Sequence, residues 1–506
     1  MPEHPFENGA DTLAWTPTRL WPQFQAHCVA DPQAIALVDC DDRTWSRADL
    51  SGMAVTIAAE LRRLGVGRRN RVLVAGYKTA ATLATALAIS FLEGIFCPYS
   101  SKLGPAEIAG LEGALGHAAK VVCTSDRWTI TTCDKESWSN DPRDIETVLI
   151  GFTSGSTGVP KGVMHGAEAL NYASQACAAI AGLDPDDAVL GIVPLDSAPG
   201  FTFTAHFALS QGRRLVFVDP WDPVEAMTRA ERFGCGWAVA VPTHLFTMVE
   251  AARQGLWTSR LPMKAVAVGG SAMTPDLIAD ADALLGVKAL RMFGMSECMG
   301  HCSTRPDHNP DRRQGYDGWP FPGTEEEAFD ANLKVLPRGQ RGEAGVRGPS
   351  LFLGYALGMG AGQEKMTPSG YYLTGDEIIR DEDGYVRVVG RIKDQIIRGG
   401  FNIDPAEVEA VLRKHPAISE VAVVAVPETK LGEQACAVCQ LRPGFATVDL
   451  NQIVEHMQAS GVSRKKWPEH VVVVEAMIIG QTGKLDKKAM AACAADEIQR
   501  RRLAAA

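Results

Sequence analysis

The chain has 506 residues, 46% of them hydrophobic and 22% charged, with a formal net charge of −10. That length predicts two or more domains, and that composition a soluble globular protein rather than a disordered or fibrous one. The acidic balance argues against nucleic acid as a partner, yet leaves a small anionic ligand open, because local charge departs from the total. The opening stretch, MPEHPFENGADTL, has no basic n-region and no apolar core, so no secretory signal is expected. The longest apolar stretch, Ala80–Leu92, is too short for a membrane span and reads as a buried helix. The 12 cysteines are scattered through apolar segments and read as reduced core residues of a cytoplasmic protein. CMGHC (Cys298–Cys302) lacks a complementary pair at zinc spacing, and CAVC (Cys436–Cys439) lies within a strand-like run, so core packing is expected of both.

From Arg71 onward, short β-like runs alternate with helical patterns. Strands are expected at Arg71–Gly76, Lys120–Cys123, Ala188–Val193, Arg214–Val218, Trp237–Val241, Lys264–Gly270 and Lys288–Gly294. Helices are expected at Thr79–Leu92, Pro105–His117, Pro223–Arg232, Thr243–Ala252 and Pro275–Leu285. Such alternation predicts layered α/β structure with largely parallel sheets. After about Trp319, glycine, β-branched residues and acidic turns predict antiparallel strands forming a small β-barrel-like part. After Arg391 a small α+β region follows. Its first helix, Asp404–Pro416, has Asp404 as N-cap and Pro405 at the first position. A boundary is placed near Lys393, giving a large N-terminal domain, 1–392, and a small mobile C-terminal domain, 393–506.

The stretch GFTSGSTGVPKGVMH (Gly151–His165) concentrates glycines, hydroxyls and one lysine. A Walker loop needs glycine before the lysine and a hydroxyl after it; here Pro160 and Gly162 flank Lys161. A dinucleotide fingerprint is absent as well. What remains is a turn after a buried strand that offers backbone N–H groups, the hydroxyls of Thr153, Ser154, Ser156 and Thr157, the glycines Gly155 and Gly158, and the Lys161 charge. Such a set suits a polyphosphate anion. An ordinary Gly/Ser-rich turn remains the alternative on this stretch alone.

Further stretches occur in a fixed order: VGGSAM (Val268–Met273), MFGMSE (Met292–Glu297), GYYLTGD (Gly370–Asp376), GRIKDQIIRGGFNIDPAEVE (Gly390–Glu409) and TGKLDKKAM (Thr482–Met490). Together with Phe152–Gly162 they resemble the motifs of the adenylate-forming superfamily: acyl-CoA and aryl-CoA ligases, peptide-synthetase adenylation domains and beetle luciferases. The likeness spans residues 152–490 and is most like the AMP-forming acyl-CoA ligases. It implies ATP, Mg²⁺ and coenzyme A as cofactors. Lys161 and the loop residues would meet the departing phosphates. Glu297 would bind the Mg²⁺ and Ser296, in place of the family's threonine, would donate to the α-phosphate. Gly269, Gly270 and Ser271 form the adenine-side turn, with Phe293, Gly294 and Met295 against the base. Asp376 and Arg391 would hold the ribose. Lys393 matches the hinge, Gly399 and Gly400 leave space for a pantetheine arm, and Lys484 would stabilise the reacting carboxylate. Arg398, Arg464, Lys465 and Lys466 would meet coenzyme A phosphates or form a solvated face.

At VPLDSAPGF (Val193–Phe201) the family's usual aromatic and histidine are replaced by Asp196 and Ser197. Asp196 either faces a polar or amino group on the substrate or caps the following helix. Phe201, His244, Met295 and Met299 are the other acid-pocket candidates, and they fit an aromatic or a medium aliphatic acid. The expected activity is ATP-dependent activation of a small carboxylic acid to an acyl-adenylate, then transfer to coenzyme A with release of AMP and pyrophosphate. The alternatives are transfer to a carrier-protein thiol, transfer to a nonthiol nucleophile such as an amine, and a noncatalytic nucleotide-binding homologue.

Overall fold

The computed structural model describes residues 16–153, 160–270, 273–360, 362, 364–398, 401–428, 432–480 and 485–505. Two compact units emerge, Met1–Glu326 with Val346–Tyr372, and Glu327–Gly345 with Leu373–Ala506.

Two sheets dominate the first unit. Among the described residues, one has nine strands. Its centre runs Lys288–Met295, Ala265–Val268, Cys235–Ala240, Ala188–Gly191, Leu215–Phe217 and Ile35–Val38, all parallel. The other has seven, in the order Gly354–Tyr355, Lys161–Gly166, Thr147–Thr153, Ile95–Tyr99, Arg71–Ala75, Ala119–Thr124 and Arg127–Thr132. Its centre is parallel and its edges antiparallel. Central strands such as Arg71–Ala75 are buried along their whole length, which explains their unbroken apolar runs: parallel strands are covered on both faces. Helix Ala80–Phe91 is buried for most of its length, and the Thr79 side chain caps it by accepting from Thr82 N.

Two features stand out in and around the nine-stranded sheet. First, the chain leaves Ala188–Gly191 for Leu215–Phe217 on one side and then crosses to Cys235–Ala240 on the other. At such a reversal α/β proteins bind ligands, at the carboxyl ends of the strands. Second, the segment expected to run as one helix from Pro275 to Leu285 is α-helical over Pro275–Asp280 and π-helical over Ala281–Leu285. A second π-turn, Phe201–His206, follows the altered pocket motif.

In the second unit, Ile418–Glu428 and Gly432–Leu441 form a long antiparallel pair, extended by the parallel strand His470–Val474. Helix Pro405–Leu412 begins as expected, with the Asp404 side chain accepting from Ala406 N. Cys436 and Cys439 pack into different core clusters. The antiparallel strands expected after Trp319 are present, with Tyr372–Arg380 paired to Val386–Arg391.

Candidate active site

The phosphate-loop candidate joins two antiparallel strands. Thr147–Thr153 and Lys161–Gly166 pair in register, with Thr153 opposite Lys161. The lysine opens a strand, Lys161–Gly166, rather than a helix, which separates this hairpin from the strand–loop–helix of a Walker loop. The loop residues Ser154, Gly155, Ser156, Thr157 and Gly158, and Ser271 of the glycine turn, lie outside the described residues. Gly269 and Gly270 directly follow strand Ala265–Val268, and a Cβ on Gly269 would lie 2.9 Å from the Met292 carbonyl oxygen.

The MFGMSE stretch closes strand Lys288–Met295 and turns into Cys298–Ser303. Phe293 is half-buried, with its ring edge-on to His301 at 4.3 Å. Gly294 backs onto the Gly300 backbone, and Met295 packs beside the cluster of Phe352, Tyr355 and Tyr372. Beneath the turn, His165 Nε2 meets the Ser296 carbonyl oxygen at 2.7 Å. His165 is fully buried, and desolvation pushes its pKa down to about 4. It is therefore neutral, and donates from Nε2 to that carbonyl. The CMGHC side chains diverge: Cys298 Sγ meets Ser350 Oγ, Cys302 Sγ donates to Asp317 O, and His301 faces Glu326.

Tyr355 joins the two motifs. Its hydroxyl donates to Glu297 Oε1 at 2.6 Å and lies 3.1 Å from the Tyr372 hydroxyl. Lys161 Nζ sits 4.5 Å from the centre of the same ring. Burial, then the adjacent Glu297 charge, raise the Tyr355 phenol far above its ordinary value, and burial pushes Tyr372 up to about 12. Both phenols are neutral donors. Glu297 is only 8% exposed, and its second oxygen has no hydrogen-bond partner among the described residues. A single carboxylate with one open oxygen fits magnesium, which takes one or two carboxylates and retains waters.

The acid-pocket candidates have different surroundings. Ser197, rather than Asp196, caps the following helical segment by accepting from Gly200 N at 3.1 Å. Asp196 instead lies against Gly76, where a Cβ would come within 2.7 Å of its side chain. Burial raises its pKa, opposed by a Ser100 hydrogen bond and the Lys102 and Lys78 charges. Lys78 donates to the carbonyls of Ile192 (2.7 Å) and Val218 (2.8 Å), tying together the loops at the switch point. His244 lies 4.4 Å from the Trp221 ring. Burial first, and the Lys78 charge second, push its pKa down to about 4. Phe201 packs on Phe96 at 4.6 Å. Phe201 and Met299 are both buried members of the main core cluster, at 3% and 0% exposure, so packing encloses both side chains.

In the second unit Asp376 stands opposite Arg391 across paired strands, and Arg391 Nε donates to Asp376 Oδ1 at 2.6 Å. Asp376 is 4% exposed. Arg398 is occupied by Glu469 and by the carbonyls of Lys465 and Trp467, while Lys466 pairs with Glu407 at 2.6 Å. The Lys393 side chain, Gly399, Gly400 and Lys484 lie outside the described residues. An antiparallel bridge between Ile479 and Leu485 brings together the chain on either side of Lys484.

His165, Lys78 and Tyr355 were not singled out from sequence. Their partners lie far along the chain, and no local spacing marks them.

Comparison with known proteins places these residues in a family. The family model described as AMP-binding enzyme matches residues 24–356, and that of the AMP-binding enzyme C-terminal domain matches residues 407–484. A medium-chain fatty-acid–CoA ligase of Escherichia coli (strain K12) is 31% identical over 344 residues, 68% of this chain and 60% of that protein. A salicylyl-CoA synthase / salicylate adenylyltransferase of Streptomyces sp is 31% identical over 354 residues, covering 69% and 63%. The match thus spans somewhat under two thirds of the length of these relatives. Triostin synthetase I of Streptomyces triostinicus is 27% identical across 92% of this chain and 93% of the matched protein. The crystal structure of ATP-bound MatB from Rhodopseudomonas palustris shares the fold, with a TM-score of 0.81 at 23% identity over 94% of this chain and 99% of that one. Among the described residues, no helix is long and apolar enough to cross a membrane.

Proposed function

The chain belongs to the AMP-binding enzyme family, within the adenylate-forming superfamily, and from that premise we propose that it is an AMP-forming carboxylic acid–CoA ligase. The observation that carries the reading is the meeting of Lys161 and Glu297 on Tyr355, since they come from two motifs distant in sequence and are the charges that polyphosphate chemistry needs.

In the first half-reaction a carboxylate oxygen attacks the α-phosphorus of ATP. A new oxygen–phosphorus bond forms, the bond to the bridging oxygen breaks, and pyrophosphate leaves. Negative charge grows on the departing phosphates, and preorganised donors there lower the barrier. Lys161, with Thr153 and the loop hydroxyls, would supply them, and Ser296 would donate to the α-phosphate. Magnesium, when bound, neutralises phosphate oxygens; Glu297 would hold it. Gly269, Gly270 and Phe293 flank the base, while Asp376 and Arg391 take the ribose. Lys484 stabilises the reacting carboxylate. In the second half-reaction a thiolate attacks the acyl carbon and AMP leaves. A boundary near Lys393 lets 393–506 present Lys484 in one step and Gly399–Gly400 in the other. The acid would be taken at the carboxyl ends of the strands, around Asp196, Ser197 and His244.

Two acceptors fit the adenylate. Two of the relatives are named for coenzyme A chemistry, and transfer to a carrier-bound thiol is kept as the second reading because it uses the same adenylate. Pyrophosphate release over a panel of acids, with and without coenzyme A, tests both. Acid-dependent release should fall about 100-fold in Lys484→Ala, and an acyl-CoA should form without any carrier protein. Release with no acyl-CoA would move the acceptor to a carrier thiol or an amine. Stoichiometric ATP binding without release would leave a nucleotide-binding homologue.

A further inference from the structure

We infer that Tyr355 is a positioning residue that keeps the Lys161 cation and the Glu297 carboxylate apart, orienting each for a different part of the bound nucleotide. The inference rests on the adenylation reading above. Opposite charges that share one neighbouring side chain attract, and a direct ion pair would neutralise both before any ligand arrived. No such pair forms: Lys161 lies over the face of the Tyr355 ring, while Glu297 is held at its hydroxyl. The ring face is the negative end of an aromatic quadrupole, so it attracts the cation; the hydroxyl is a donor, so it attracts the carboxylate. One side chain thus satisfies both charges without letting them meet.

The ring itself is fixed from several sides. Strand Gly354–Tyr355 pairs with Val163 and Met164, on the strand that Lys161 begins. Arg143 donates to the Tyr355 carbonyl at 2.8 Å, and Tyr355 N donates to Glu364 at 3.0 Å. The chain then folds back over the lysine stem, where a Cβ at Gly360 would lie 3.1 Å from Lys161 Cγ and 3.4 Å from Tyr355 Cγ. Phe352 packs edge-on against both tyrosines, at 5.0 and 5.1 Å. Glu297 therefore offers its second oxygen, and the Lys161 stem is flanked by the Tyr355 ring and by the chain at Gly360.

The test is calorimetric titration of the full-length protein with ATP, without acid, in Mg²⁺ and again in EDTA. The wild type should bind more tightly in Mg²⁺. Tyr355→Phe keeps the ring and loses the hydroxyl, so its affinity in EDTA should stay within about twofold while the gain from Mg²⁺ falls roughly tenfold. Tyr355→Leu removes the ring as well and should also weaken binding in EDTA. Phe352→Leu disturbs the packing without touching either charge, so it should lower Tm and keep the gain. A full gain in Tyr355→Phe, or an equal loss in Phe352→Leu, would overturn the inference and leave the adenylation reading standing. A wild type that binds ATP in neither buffer would sink that reading, and this inference with it.

Discussion

Lys161 and Glu297 in the first unit and Asp376 and Arg391 in the second use opposite charges in contrasting ways. The first two are held apart on one aromatic ring. The second two touch, Nε to Oδ1 at 2.6 Å, across a strand pair. Separation leaves a cation and an anion each able to engage a ligand of its own. Direct pairing uses up one carboxylate oxygen and holds the carboxylate in one orientation, leaving the other oxygen as a directed acceptor. Charged side chains thus serve either as counter-charges or as oriented hydrogen-bonding groups, and what stands between them decides which.

Breaking the separated pair should give the largest effect. Lys161→Ala is expected to lower kcat/KM for ATP in acid-dependent pyrophosphate exchange about 100-fold, roughly the loss of one charge-stabilising donor. A rate within threefold of wild type would reduce Lys161 to a packing partner of Tyr355. Asp376→Asn tests the contacting pair. It should weaken ATP binding roughly tenfold, as loss of a charge-assisted hydrogen bond does, and narrow the preference for ATP over 2′-deoxyATP. An undiminished preference would take Asp376 away from the ribose.

The support beneath Glu297 gives a smaller effect, in stability. His165 has a folded pKa of about 4 against an ordinary 6.5. A depressed histidine favours folding while it is neutral, so its contribution is complete above about pH 6.5 and is lost as pH falls through 4. The full span is on the order of 3 kcal/mol. His165→Gln keeps a donor for the Ser296 carbonyl but cannot titrate. Its urea midpoint should fall less than that of the wild type between pH 7.5 and 4.5. Some slope should remain, since burial also depresses His206 and His244. An identical slope would mean that His165 does not titrate between the folded and unfolded states.

Much of the architecture was legible because it follows from local periodicity. The strands Arg71–Ala75, Cys235–Ala240 and Ala265–Val268, and the helices Ala80–Phe91 and Pro405–Leu412, lie where apolar runs and caps put them. Less regular elements were not. The π-turns at Phe201–His206 and Ala281–Leu285 carry no pattern distinct from that of an ordinary helix. At Asp196 and Ser197 the sequence offers two good capping residues side by side. Only the packing of Asp196 on Gly76 leaves the cap to Ser197. Met299 lies two residues past Glu297, in a strand whose six residues are all buried, so no alternation in the sequence separates it from a pocket residue.

By itself, then, the sequence determined the kinds of element, their order and the motifs that mark an adenylate-forming enzyme, because those depend on neighbours a few residues apart. Only the tertiary structure decided which charges are paired and which are kept separate. Lys161, Glu297 and Tyr355 lie on strands and turns far apart in the chain, and the partner of a buried side chain is set by how those elements pack. No residue spacing encodes that a tyrosine from a two-residue edge strand stands between the lysine of one motif and the glutamate of another.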